Sequence, residues 1–121
     1  MSVEQRDVYL FPPMHDSSLA NHPFIVLSTK AANEYESTFI AVMITSSIKF
    51  HDDFSFDLRD EMFEHPLEKG GSHARMHLVT LCLEQEIIGP RINRMKPFYF
   101  KELMAAIGDL VFGYEFKPLG S

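Results

Sequence analysis

Three hydroxyl residues in a row, Thr45, Ser46 and Ser47, close an apolar run from Phe39 to Ile44, and His22 stands just ahead of a second run, Phe24 to Leu27. A third run carries Arg75 and His77. Histidine gives or takes a proton near neutral pH, a hydroxyl can donate to an anionic oxygen, and a guanidinium holds an anion in a fixed fork of donors. If His22 and His77 both face the mouth marked by Thr45, the imidazoles can move protons while Arg75 and Thr45 hold the phosphate on which they act. Each residue also has a structural reading. His22 can cap a strand, His77 can be a partly buried sheet residue, and Ser46 and Ser47 can end a strand by bonding to the turn backbone.

Such a mouth needs strands to build it. The runs Phe24 to Leu27 and Phe39 to Ile44 are continuously apolar, as central strands are, and the polar stretch between them, with Asn33, Glu34 and Glu36, reads as a loop. Val8 to Phe11 is a strand stopped by Pro12-Pro13, and Pro23 opens the next strand, where a missing N–H is tolerated. Phe54, Phe56 and Leu58 alternate with polar residues in a half-buried strand preceded by a turn at His51-Asp52-Asp53. Residues 59–72 read as a long surface connection. Ala74 to Leu83 is an interior strand, with Ala74, Met76, Leu78, Thr80 and Cys82 on one face and Arg75, His77, Val79, Leu81 and Leu83 on the other.

Beyond Gly89-Pro90 the segment holding Ile92 and Met95 is less regular, and a helix starts at Pro97. Phe100, Leu103, Met104, Ile107, Leu110 and Val111 recur at helical spacing, and Gly113 stops it. Strands followed by one helix, without βαβ alternation, give an antiparallel sheet curled into a small barrel. The PMHDSSLANH stretch should form a mobile flap over residues 14–21.

At 121 residues the chain fits one domain, 1–121, with a single core. Hydrophobic residues make up 45% and no apolar run reaches the roughly 20 residues of a membrane-spanning helix. The MSVEQRDVY start carries no secretory signal, so a cytoplasmic location is expected, with no membrane partner. A net charge of −6 argues against tight nonspecific nucleic-acid binding, although Arg91, Arg94, Lys96 and Lys101 could form one basic face. Cys82, the single cysteine, reads as a small buried hydrophobe. His15, His22, His51, His65, His73 and His77 give no recognised ligand spacing, so no metal or other cofactor is expected.

With its strands in this order the chain resembles the MazF/PemK family of toxin endoribonucleases from toxin–antitoxin systems, from about Arg6 to Phe112. The family's opening Gly-Asp strand corresponds to Arg6-Asp7-Val8-Tyr9, and its Arg-Pro-led strand to His22-Pro23-Phe24-Ile25-Val26-Leu27-Ser28. Its Ile-Thr-Ser strand end corresponds to Ile44-Thr45-Ser46, and its later strand and closing helix to Ser72–Leu81 and Pro97–Phe112. The resemblance implies an SH3-like barrel with a C-terminal helix, homodimeric, cleaving single-stranded RNA without a metal and inhibited by an antitoxin protein. It makes Thr45 the family threonine and puts His22 where the family has a phosphate-stabilising arginine. His22, Thr45 and His77 are then the catalytic candidates, with Ser46, Ser47 and Arg75 binding substrate. The alternative is a catalytically inactive protein-interaction module on the same fold.

Overall fold

The computed structural model describes residues 2–12 and 20–115. Of the expected flap at 14–21, residues 14–19 therefore lie outside the described residues. The strands are β1 (Asp7–Phe11), β2 (His22–Val26), β3 (Thr38–Thr45), β4 (Ser55–Asp57), β5 (His73–Leu83) and β6 (Ile88–Arg94), and the helices are α1 (Lys30–Glu36) and α2 (Pro97–Leu110). All six strands form one antiparallel sheet in the order β4-β5-β3-β2-β1-β6.

The sheet curls until its two edges meet. Past β4, Phe63 bridges Met95 just beyond β6, with Glu64 N donating to Arg94 O at 2.9 Å and Lys96 N to Met62 O at 2.7 Å. The result is the small SH3-like barrel, its C-terminal helix packed over one opening. Phe100, Leu103 and Ile107 of α2 join Val8, Ile25, Val42, Ile44, Ala74 and Met76 in the inner core. Tyr9, Phe11, Phe24, Val26, Phe39, Ala41 and Cys82 form a second apolar layer on the opposite face. Burial on both faces is why β2 and β3 are apolar without alternation.

Three elements differ from the sequence reading. The polar stretch after β2 is not a loop throughout: Thr29 caps α1, its hydroxyl accepting from Ala32 N at 3.3 Å. Asn33 in that helix is buried, and its amide donates to Val3 O at 2.9 Å and Ser28 O at 3.2 Å. The segment after Gly89 belongs to a strand, with its register against β1 shifted between Ile88 and Asn93, because β6 lies at the sheet edge and Pro90 can sit there without breaking the sheet. In β5 the single alternation fails. Val42 of β3 pairs with Val79 but Ile44 with Ala74, so β5 carries extra residues and its faces exchange at the bulge. Ala74, Met76 and Val79 therefore pack on the inner core and Cys82 on the outer layer.

Candidate functional site

At the open end of the barrel, where β1, β2, β3 and β6 present their termini, lies a cleft of about 340 Å³ with Val8, Leu10, Ile44 and Phe63 among its apolar lining. Its polar lining includes His22, Thr45, Ser46, Glu68, Lys69 and Asn93. The β2–β3 register explains how two residues distant in sequence meet there. Phe24 faces Met43 and Ile25 faces Val42, and continuing that register sets His22 abreast of Thr45.

Thr45 is buried, and its hydroxyl oxygen accepts from Ser47 N at 3.2 Å, closing a turn that leads the chain out of β3. That oxygen keeps its proton for donation into the cleft. The turn leaves Ser46 at the wall, whereas Ser47 is not among the lining residues. Of the six candidates, then, the structure brings together His22, Thr45 and Ser46.

Arg75 and His77 lie elsewhere. Ala74 and Met76 are drawn into the inner core, so the residues following each of them point to the other surface of β5. There the Arg75 guanidinium sits 4.7 Å from the centre of the Phe50 ring, and His77 packs against Phe54 with 5.3 Å between ring centres. A histidine pair of His22 and His77 across one mouth is not what this sheet builds. His73 is likewise drawn toward His51, whose Nε2 lies 2.7 Å from Asp57 Oδ1, with the two rings 4.9 Å apart. Among the described residues no three His, Cys, Asp or Glu side chains gather as a metal-binding set.

The expected basic face is also differently arranged. Arg91 Nη1 and Arg94 Nε each approach Asp7 Oδ1 at 3.5 Å, and the same arginines reach Glu64 and Glu4 at 3.9 and 4.0 Å. The buried Asp7 carboxylate needs that compensation, because an uncompensated charge inside a protein is costly. Nearby, burial and then the Asp7 charge push the Tyr9 hydroxyl above its usual value, so it stays protonated. Burial, with Glu86 adding, pushes the Cys82 thiol up to about 11.

The sequence reading missed the connection between β4 and β5, which brings Glu68, Lys69 and Ser72 to the cleft. A usable signal was Leu67, an apolar residue in an otherwise polar stretch, which packs against the inner core and ties the loop down.

A family model described as the PemK-like, MazF-like toxin of type II toxin–antitoxin systems matches residues 4–111. Among solved structures, a MazE–MazF crystal structure from Deinococcus radiodurans superposes with a TM-score of 0.72 at 14% identity, covering 94% of this chain and 100% of that one. A MazF structure from the same organism gives 0.71 at 14%, covering 93% and 98%. An endoribonuclease in complex with its cognate antitoxin from a mycobacterial species gives 0.67 at 12%, covering 96% and 98%. No curated protein sequence matches significantly.

Proposed function

Because the chain belongs to the PemK-like, MazF-like toxin family of type II toxin–antitoxin systems, we propose that it is a homodimeric endoribonuclease that cleaves single-stranded RNA without a metal and is held in check by a cognate antitoxin. The observation that carries the reading is the meeting of His22, Thr45 and Ser46 in one cleft at the strand ends. In such a cleavage the ribose 2′-oxygen bonds to the adjacent phosphorus, the bond from phosphorus to the 5′-oxygen breaks, and one proton leaves the 2′-hydroxyl while another reaches the departing 5′-oxygen. Glu68 is the carboxylate in the cleft suited to accept the first proton, and protonated His22 the imidazole suited to deliver the second. The Thr45 and Ser46 hydroxyls donate to the phosphorane oxygens.

The test is incubation of purified protein with mixed-sequence single-stranded RNA in EDTA between pH 5.5 and 8. Fragments ending in 2′,3′-cyclic phosphate, released roughly a hundredfold more slowly by Thr45→Ala, are the expected result. The replacement of the family arginine by His22, and the placement of Arg75 and His77 outside the cleft, favour the second reading, an inactive interaction module. Intact RNA throughout the range, with no growth arrest on expression, would decide for it.

A further inference from the structure

We propose that Lys69 supplies the phosphate-binding charge of this cleft, and that Asn93 is the positioning residue that holds the loop carrying it; the inference rests on the cleft being an RNA-cleaving site. The transition state there gathers negative charge on the phosphoryl oxygens, and an imidazole that hands its proton to the departing oxygen gives up its charge as the bond breaks. Among the described residues that line the cleft, Lys69 is the one with a permanent positive charge. Arg91 and Arg94 are drawn to Asp7, Glu4 and Glu64, and Arg75 is stacked on Phe50.

A lysine on a wandering loop would contribute little, since electrostatic catalysis depends on charge already in place. This loop is fastened at three points. The Asn93 side chain acts as a backbone surrogate, its Oδ1 accepting from His65 N at 3.1 Å and its Nδ2 donating to His65 O at 3.0 Å. The same Oδ1 accepts from Arg94 N at 2.8 Å, which fixes the amide to β6. Further along, Asp60 Oδ1 accepts from Leu67 N at 3.0 Å. The buried Ser72 hydroxyl donates to the Lys69 carbonyl itself at 2.8 Å. Between them Gly71, at φ +75, takes the left-handed turn that returns the chain to β5. Lys69 is thus delivered to the cleft by a clamped backbone, on a different element from the strand start where the family's arginine would stand.

The experiment uses the whole protein, mixed-sequence single-stranded RNA for cleavage, and a 2′-O-methyl oligonucleotide of the same sequence as a probe that binds but cannot be cut. Lys69→Gln should slow cleavage about a hundredfold or more, the scale of losing one oxyanion-type contact. It should also reduce the slope of log affinity against log salt by roughly 0.7, the value of one phosphate contact on a single strand. Lys69→Arg should retain cleavage within about tenfold, and Lys101→Gln, exposed on α2 outside the cleft, should match the wild type. Asn93→Ala should lower kcat more than it raises KM and speed hydrogen exchange over residues 65–72. Combined with Lys69→Gln it should add less than about threefold, since both changes remove the same charge from the same place. Asn93→Asp keeps the acceptor and loses the donor, and it should show the same failure to add if the alanine variant does not fold. Wild-type cleavage with an equally active Lys69→Gln and an unchanged salt slope would overturn the assignment of Lys69 while leaving the ribonuclease reading intact. Multiplying losses in the double variant would overturn the role of Asn93. A wild type that neither cleaves RNA nor binds the probe would overturn both this inference and the reading beneath it.

Discussion

His22 lines the cleft with a group whose charge depends on pH, where an arginine would carry a fixed one. As proton donor to the departing oxygen it must be protonated, so cleavage should decline on the alkaline side of its pH profile. His22→Ala and Thr45→Ala should each slow the reaction roughly a hundredfold, and a pH profile of kcat/KM for His22→Arg should lack the alkaline decline. A wild-type rate that climbs steadily to pH 9 would remove His22 from the proton-donor role. Arg6 presents a different conflict, with φ at 81°, a conformation costing a residue with a Cβ roughly 1–2 kcal/mol. The resemblance put a family glycine at this position, and the backbone supplies the reason. Arg6 N donates to Val26 O and its carbonyl accepts from Met95 N, both at 2.9 Å, so the chain cannot relax without breaking the joins of β1 to β2 and to β6. Arg6→Gly should therefore exceed Arg6→Ala in stability by about 1 kcal/mol in urea titrations, since both lose the guanidinium and only one keeps a Cβ. Cys82, pushed from 9.0 to about 11 by burial, stays a thiol at working pH and should resist iodoacetamide at pH 8 until urea unfolds the protein. Its raised value also favours the fold below about pH 9 and loses that contribution as pH climbs toward 11. Alkylation at the same rate with and without urea would show the thiol to be accessible.

Elements announced by apolar runs were legible in the sequence, and elements defined by hydrogen bonding or by neighbours were not. β2, β3 and α2 carry their burial in their own composition, so their type and nearly their limits could be read directly. α1 could not, because its one buried residue is the polar Asn33, whose partners Val3 and Ser28 are set by tertiary structure. β6 buries only the polar Asn93 and leaves Ile88 and Ile92 exposed, as an edge strand can, so its composition gives no apolar signal. For the site, His22, Thr45 and Ser46 were legible because register follows from the two central strands. Arg75 and His77 were assigned to the mouth by the resemblance rather than by a register, and alternation with the inward Ala74 and Met76 turns both to the other surface of β5. Asn33 offers a test at this scale. Asn33→Leu keeps the helix yet leaves the Val3 and Ser28 carbonyls without this donor, which should cost about 2–4 kcal/mol. Thr29→Ala removes a single long cap bond and should cost about 0.5–1 kcal/mol. Chemical denaturation that ranks the two variants equally would show that α1 is held by its cap rather than by its buried amide.

At the scale of the whole molecule the barrel leaves apolar side chains of β3 and β5 uncovered. Ile40 and Leu81 are directly paired across β3 and β5 and are 43% and 65% exposed, and Leu83 beside them is 40% exposed. Strand alternation puts Ile40 on the same face as Val42, and Leu81 on the same face as Val79, which is the face that α2 packs against farther along. The end of α2 adds Leu110 and Phe112, 53% and 66% exposed. Exposed apolar side chains paired across two strands are costly to leave in water when they are gathered on one face, and such patches mark sites of association. The proposed homodimer would cover these side chains, since in a two-fold contact the same patch meets itself. No helix among the described residues is long and apolar enough to cross a membrane. Size-exclusion chromatography with light scattering should give twice the chain mass of 13.9 kDa at tens of micromolar. Leu81→Lys, which puts a charge at the centre of the patch while leaving the inner core untouched, should give the single-chain mass with an unchanged circular dichroism spectrum. A wild-type protein that elutes as a monomer at that concentration would remove the homodimer from the proposal.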